Sequence, residues 1–234
     1  MELLVRPEVF AAFPGLRIAV AVARGVDNLA PRPAVEAGWR AAWATAGAAA
    51  AQHGNAQSHP RILPWRERFR ALGVPPKQFP SSAEALLRRA MKGGEPFRIS
   101  PLVDFYNTVS LRHGLPAGGF DLAQLRGPLE LRRTREGDSF QPLEGGSPEP
   151  LGAGEIAYAD GSVVLTRHFV WRQARTGLIA PSTRDVILVS EALGELPSGA
   201  AEAVLADLRG GLRELFDAAS GCGIVDERSA SFAW

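Results

Sequence analysis

The sequence predicts an α+β fold, with a mixed β-sheet core and flanking helices, and three observations carry that expectation. Helical periodicity with recognisable caps dominates residues 33–113, alternating β texture takes over from 128, and "LRIAVAVARGV" at 16–26 reads as a buried central strand. At 234 residues, 46% of them hydrophobic, the chain can bury a sizeable core. The expected organisation is a helix-rich basic part over 1–98 and a strand-rich part over 99–234 within one compact domain.

Each element has a local cause. The 16–26 strand shows period-2 apolar residues and Gly25 at its end. "PAVEAGWRAAWATAGAAAAQHG", 33–54, is alanine-rich with Trp39 and Trp43 at i and i+4, which makes a helix with one aromatic ridge. "WRERFRALGVPP" is a short amphipathic helix stopped by Gly73 and the double proline. In "SSAEALLRRAMKGG", Ser81 and Glu84 have capping-box spacing and Gly93-Gly94 terminates the helix. The helix over 101–113 starts with Ser100 as N-cap and Pro101 at its first position, and stops at Gly114. At about 100° per residue, Leu102, Phe105, Tyr106 and Val109 share one face. Asp104, Thr108 and Arg112 form a wet stripe. Asn107 falls on the half-buried flank, where a carboxamide without partners costs about 1 to 3 kcal/mol, so a partner for it is expected.

From 128 onward the elements are strands. "PLELRRTR" alternates, "EIAYAD" runs into the turn at 160–162, "SVVLTRHFVW" is one long alternating strand, and "RDVILVSEAL" is another. The chain closes in an amphipathic helix within 197–223, weakened by Gly210-Gly211.

Composition excludes several classes. Met1-Glu2 is not a basic n-region and the run at 18–23 is far too short to span a bilayer, so no signal peptide, no membrane contact and a cytoplasmic location are expected. The single cysteine, Cys222, precludes an internal disulfide, and the four histidines lack metal-ligand spacing; no metal and no cofactor are expected. Charge is unevenly spread. Residues 1–98 hold 14 Arg and Lys against 7 Asp and Glu, whereas 99–234 hold 12 against 18. The densest basic stretch, 61–98, carries Arg66, Arg68, Arg70, Arg88 and Arg89 beside Trp65, Phe69 and Phe79. It suits a nucleic-acid backbone with exposed bases, with these arginines as the contacts. The alternative is a solvated helical face with its aromatics in the core.

There is no P-loop, no G-x-S-x-G, no H-E-x-x-H and no dinucleotide-binding glycine pattern. "GCG" at 221–223 has no local base, and His168 reads as a hydrogen-bonded sheet histidine. What remains is polar residues in apolar surroundings. Asn107 is one and Glu191, closing "DVILVSE", is another; Glu191 is either a site carboxylate or a strand-end ion pair with Arg172. Trp171, Arg172 and Gln173 offer a planar aromatic, a guanidinium and an amide in sequence, able to stack on a ring and fork-bond an oxyanion.

The order of these segments, "PLVDFYNTVSLRHGLPAGGFDLAQLRGPLELRR" through "EIAYADGSVVLTRHFVW" to "TRDVILVSEAL", resembles the B3/B4 domain of the phenylalanyl-tRNA synthetase beta subunit. The leading segments look like freestanding members of that family. The resemblance implies an editing pocket in 99–234 that hydrolyses wrongly attached aminoacyl esters of tRNA, with Asn107 as the editing-site asparagine and Glu191 as the glutamate that recognises the side chain. Two positions depart from the family pattern. Gly118 stands where the family has a histidine, and Tyr106 where it has a small hydroxyl residue. The implied reading is trans-editing of the misacylated acceptor end of tRNA, with no obligate protein partner; chemistry and position, not the resemblance, put Tyr106, Gly118, Gly119, Trp171, Arg172 and Gln173 around the substrate. The alternatives are a non-catalytic RNA- or amino-acid-binding protein of the same fold, and a hydrolase of small esters or amides.

Overall fold

In the computed structural model, which describes residues 1–234, the chain opens with β1 (Glu2–Val5), α1 (Pro7–Ala12) and β2 (Arg17–Ala23). Four helices follow: α2 (Pro33–Ala51), α3 (Leu63–Ala71), α4 (Ser82–Ala90) and α5 (Pro101–His113). Next come β3 (Ala117–Asp121), β4 (Leu129–Arg133), β5 (Ser139–Phe140), β6 (Glu149–Pro150) and β7 (Ile156–Asp160). After them run β8 (Val163–Val164), β9 (Thr166–Arg167), β10 (Arg172–Gln173) and β11 (Val186–Ala192). The chain closes with α6 (Ala200–Phe216), β12 (Ser220–Val225) and β13 (Ser231–Ala233).

The strands form a seven-stranded sheet, β13-β1-β4-β7-β8-β5-β6, a four-stranded sheet, β12-β2-β11-β3, and the small β10-β9 pair. β1 runs parallel to β4 and antiparallel to β13, so the larger sheet is mixed. β2 lies inside the four-stranded sheet, which explains why both faces of "RIAVAVA" are apolar. α6 packs across β12, β2 and β11, and α5 packs beside it against β3. The remaining face of the four-stranded sheet meets the seven-stranded sheet, where Phe120 and Tyr158 stack at 5.4 Å. A second, smaller core lies between α2, α4 and α5. There Trp39 and Trp43 meet edge to face at 5.3 Å, and the Trp39 indole donates to the Phe97 carbonyl at 2.8 Å.

Several expectations need correction. α5 is enclosed by α2, α4, α6 and β3, so Asp104 and Thr108 are buried rather than wet. Asp104 accepts from Arg98 at 2.6 Å, and the Thr108 hydroxyl donates to the Asp104 carbonyl at 2.8 Å. Ser100 makes no capping hydrogen bond; Asn28 takes that role from a distant loop, accepting from the Leu102 amide at 2.8 Å. "SVVLTRHFVW" is not one strand. His168 and Phe169 adopt φ of 44° and 62°, and this left-handed corner folds β10 back onto β9. The corner is held by Glu155, which accepts from the His168 amide at 2.5 Å and from the Arg167 guanidinium at 2.8 Å. The closing helix ends at Phe216, and the segment containing "GCG" is the edge strand β12. α6 runs unbroken through Gly210-Gly211 because Gly211 faces the Phe105 ring, 2.2 Å from where a Cβ would stand.

Candidate functional site

Strand register decides which side chains meet. In the four-stranded sheet Val189 pairs with Gly118 and Ile187 with Phe120, so Gly118, Phe120, Val189 and Glu191 share the face turned toward Tyr158. The corner at His168-Phe169 brings Trp171, Arg172 and Gln173 over the same face. Together they enclose a cavity of about 80 Å³, with Glu191 on its wall.

Glu191 is 3% exposed, and its carboxylate accepts one side-chain hydrogen bond, from the Tyr158 hydroxyl at 2.8 Å. The other buried carboxylates are better provided for. Glu84, Asp104, Glu130 and Asp138 each meet at least one arginine, and Asp121 accepts from the Thr183 hydroxyl and the Ala123 amide. Burial without a cation pushes the Glu191 carboxyl up to about 7, partly offset by the Tyr158 hydrogen bond. The Tyr158 phenol is itself pushed up, first by burial and then by the Glu191 charge. The expected strand-end ion pair with Arg172 is absent, since Arg172 pairs with Glu144 at the surface.

The two glycines of β3 differ. A Cβ on Gly119 would stand 2.6 Å from Leu188 and 2.9 Å from the Ile187 carbonyl oxygen, so the packing demands glycine there. A Cβ on Gly118 would meet nothing within 4 Å. The position lies beside the cavity and is open space.

The other candidates are spread more widely. Asn107 is half-buried on α5 and its carboxamide makes no hydrogen bond within the protein; it is absent from the lining of the Glu191 cavity, and solvent reaches it. Tyr106 is buried in the main core, away from that lining, and its phenol is pushed up by burial and by the Asp104 charge. Gln173 donates to the Gly119 carbonyl at 2.9 Å, tying β10 to β3. Arg172 lies with its guanidinium 5.8 Å from the Trp171 ring centre.

Among the basic residues, Arg66 requires correction as a nucleic-acid contact. It is buried, and its guanidinium makes hydrogen bonds of 2.7 and 2.9 Å to Glu84 and a third to the Pro76 carbonyl, because Ile62, Trp65 and Phe69 on the same helical face turn it inward. Trp65 and Phe69 are likewise core residues: the Trp65 ring packs against Phe13, Phe69 and Phe169. Arg68 pairs with Glu195, Arg88 with Glu84, and Arg89 lies over the Phe97 ring at 5.2 Å; Arg70 is exposed.

Sequence reasoning missed Tyr158, the donor to Glu191. Its alternation in "EIAYAD" indicates only burial, and the partner lies on another sheet.

The family model of the B3/4 domain matches residues 64–196, a segment that contains Asn107 and the whole cavity wall from Ser82 to Glu191. The chain belongs to the B3/4 domain family. The phenylalanine–tRNA ligase beta subunit of Vibrio parahaemolyticus is 32% identical over 90 residues, which are 38% of this chain and 11% of that protein. The beta subunit of Haemophilus influenzae is 33% identical over 92 residues, 39% of this chain and 11% of that one. The B3/4 chain thus spans about a tenth of the length of the curated relatives it matches. Its fold is similar to that of an N-terminal fragment of the phenylalanyl-tRNA synthetase beta subunit from Pyrococcus horikoshii. The TM-score is 0.50 at 10% identity, covering 93% of this chain and 49% of that fragment. No helix is long and apolar enough to cross a membrane.

Proposed function

We propose that this B3/4 domain hydrolyses the ester of misacylated tRNA in trans, taking the side chain of the wrongly attached amino acid into the Glu191 cavity. The observation that carries the reading is a buried carboxyl without a cationic partner on the wall of a cavity of about 80 Å³. That volume is well below the roughly 300 Å³ at which drug-sized sites begin, and it holds several water-sized positions; it suits a side chain rather than a nucleoside. With its pKa near 7, Glu191 exists in both forms around neutrality. Ionised, it accepts from a substrate hydroxyl or ammonium group; protonated, it donates.

In the reaction, a water oxygen adds to the ester carbonyl carbon, the bond to the ribose oxygen breaks, and that oxygen takes the proton. An aminoacyl ester is activated, so orienting the water and stabilising the oxyanion supply much of the rate, with the neighbouring ribose hydroxyl relaying the proton. Asn107 has an uncommitted carboxamide at a solvent-reached position and is the residue proposed to orient the water or the ester. Trp171 and Arg172 would receive the terminal nucleotide. Arg172 would first leave Glu144, a surface pair worth under about 1 kcal/mol.

One observation favours a second reading, binding of RNA or an amino acid without turnover: Gly118 puts open space where the family resemblance implies a histidine. A panel of tRNAs, each misacylated with a different radiolabelled amino acid, separates the two. Ester loss from one or a few members, abolished in Asn107→Ala and Glu191→Gln with the fold retained, is expected. Competition by uncharged tRNA then excludes a hydrolase of unrelated small esters. A flat panel at high protein concentration, with salt-sensitive tRNA binding, overturns hydrolysis in favour of binding. In that case Gly118→His, for which the backbone leaves room, tests whether a side chain at this position restores turnover.

A further inference from the structure

A second cavity, of about 310 Å³, adjoins the Glu191 cavity, and Phe169 lines both. Its apolar walls come from the C-terminal ends of α1 and α3 with the residues just beyond (Phe13, Phe69, Leu72 and Val74), from the start of β7 (Ile156) and from Phe169. Protein interiors ordinarily close such a volume with side chains, and here it stays open. Half of the apolar wall is phenylalanine, and Phe13 and Phe169 meet edge to face at 5.1 Å. The left-handed φ of 62° at Phe169 is uncommon for an aromatic residue and holds its ring against both Phe13 and Tyr158. Backbone strain of this kind collects at ligand sites.

Strand register brings a cation to this wall. β4 and β7 pair Arg133 with Ile156 and Leu131 with Tyr158, so the Arg133 side chain leaves the sheet on the same face as Ile156 and Tyr158. Its Nη1 donates at 2.7 Å to the carbonyl of Gly154, itself a lining residue, which sets the guanidinium at the mouth of the cavity. Arg133 is exposed and makes no ion pair, whereas its neighbours Arg132 and Arg135 are both paired. The lining holds one carboxylate, Glu155, and its charge is already balanced: it accepts from the Arg167 guanidinium at 2.8 and 2.9 Å and from the His168 amide. The His168 ring packs on Phe79 at 3.9 Å, and its pKa is lowered first by burial, so it is neutral at neutral pH. The polar side of the cavity therefore offers one uncommitted cation and no free anion.

We propose that this cavity binds a small aromatic carboxylic acid, with its ring among Phe13, Phe69 and Phe169 and its carboxylate on the Arg133 guanidinium. A guanidinium fork matches a carboxylate, and edge-to-face contacts with the three phenylalanines favour a ring over a plain aliphatic chain. The volume stands at the lower end of ligand sites, enough for one ring with a short tail and too little for a nucleotide. Binding here does not depend on whether the Glu191 cavity hydrolyses an ester.

The full chain, with isotope-labelled methyl groups, is titrated by NMR with phenylacetate and, separately, with its neutral counterpart phenylacetamide. Saturable shifts of the Val74 and Ile156 methyl groups are expected, with Val189, which lines the Glu191 cavity alone, moving least. The acid should bind about tenfold more tightly than the amide, the worth of one charge-assisted pair at a partly exposed site. Arg133→Gln should bring the acid down to the affinity of the amide. Val74→Phe, which fills the cavity from a half-buried position, should weaken both by about tenfold or more, while the methyl spectrum reports that each variant keeps its fold. Equal affinity for acid and amide in the natural chain overturns the carboxylate assignment. Shifts centred on Val189, or none at millimolar concentration, overturn the site.

Discussion

Two buried glutamates, one in the helical layer and one in the sheet, are solved in opposite ways. Glu84 on α4 is fully buried and meets two arginines, Arg66 and Arg88. Glu191 on β11 is nearly as deep and meets a neutral phenol. The first carboxylate has its charge balanced and its lone pairs occupied, so it pins α4 to α3 and has little left to offer. The second is held at the edge of ionisation beside a cavity. What the contrast teaches is that burial of a carboxyl does not by itself mark a site; Asp121 is also buried without a cation but accepts from a hydroxyl and an amide, whereas Glu191 has one side-chain donor and stands on a cavity wall.

The largest expected effect lies on the structural side of this comparison. Arg66→Ala leaves Glu84 buried with only the partly exposed Arg88, and the loss of stability should be about 3 to 5 kcal/mol, read by denaturant unfolding. A loss below about 1 kcal/mol would break the comparison, since Glu84 would then tolerate isolation as Glu191 does.

Next in size is Glu191→Gln, whose effect depends on pH. The folded carboxyl is raised from 4.5 to about 7. Between those values the unfolded chain has already released its proton, so the natural protein loses stability as pH rises, by about 3 kcal/mol in full. The amide cannot ionise and removes that slope. Apart from a constant offset introduced by the amide, the variant should equal the natural chain near pH 4 and exceed it at pH 8, a difference read from thermal unfolding across pH. Parallel curves would mean that Glu191 has a charge partner after all.

Part of this contrast was legible beforehand and part was not. Glu191 stands out because it follows "DVILVS", where alternation and apolar content fix a buried strand. The Ser81–Glu84 spacing correctly marked the start of α4, where the Ser81 hydroxyl accepts from the Glu84 amide at 3.2 Å. The burial of Glu84 was hidden because capping explained the residue already. Composition alone points Arg66 to the surface, although Ile62, Trp65, Arg66 and Phe69 fall at i, i+3, i+4 and i+7 and all four are buried. The corner at His168-Phe169 left no sign because neither residue is glycine, and without it the path of Trp171 to Gln173 over the cavity could not be foreseen.

A smaller effect is expected of Tyr158→Phe. Removing the one side-chain donor leaves the Glu191 carboxylate with no protein side chain to bond, so its pKa should climb further and the loss of stability should reach about 1 to 3 kcal/mol above pH 7. Below pH 5, where the carboxyl is protonated in both folded proteins, the difference should shrink. Thermal unfolding at the two pH values measures both, and an effect independent of pH would show that the phenol contributes by packing on Phe120 rather than through Glu191.

The smallest effect closes the comparison from the Glu84 side. Arg88 is 44% exposed and pairs with Glu84 at i,i+4, while Arg66 supplies the same carboxylate with two bonds inside the core. Arg88→Ala therefore removes the solvent-screened partner and leaves the buried one, so the cost should stay under about 1 kcal/mol and should fade with added salt. The double variant Arg66→Ala with Arg88→Ala turns Glu84 into a second Glu191, buried without a cation. Its stability should then fall with rising pH, a slope the natural protein owes to Glu191, and the single Arg88→Ala variant should lack that added slope. Equal pH profiles for the single and double variants would mean that Arg66 holds Glu84 in place by shape, and that the absence of a cation is not what sets Glu191 apart.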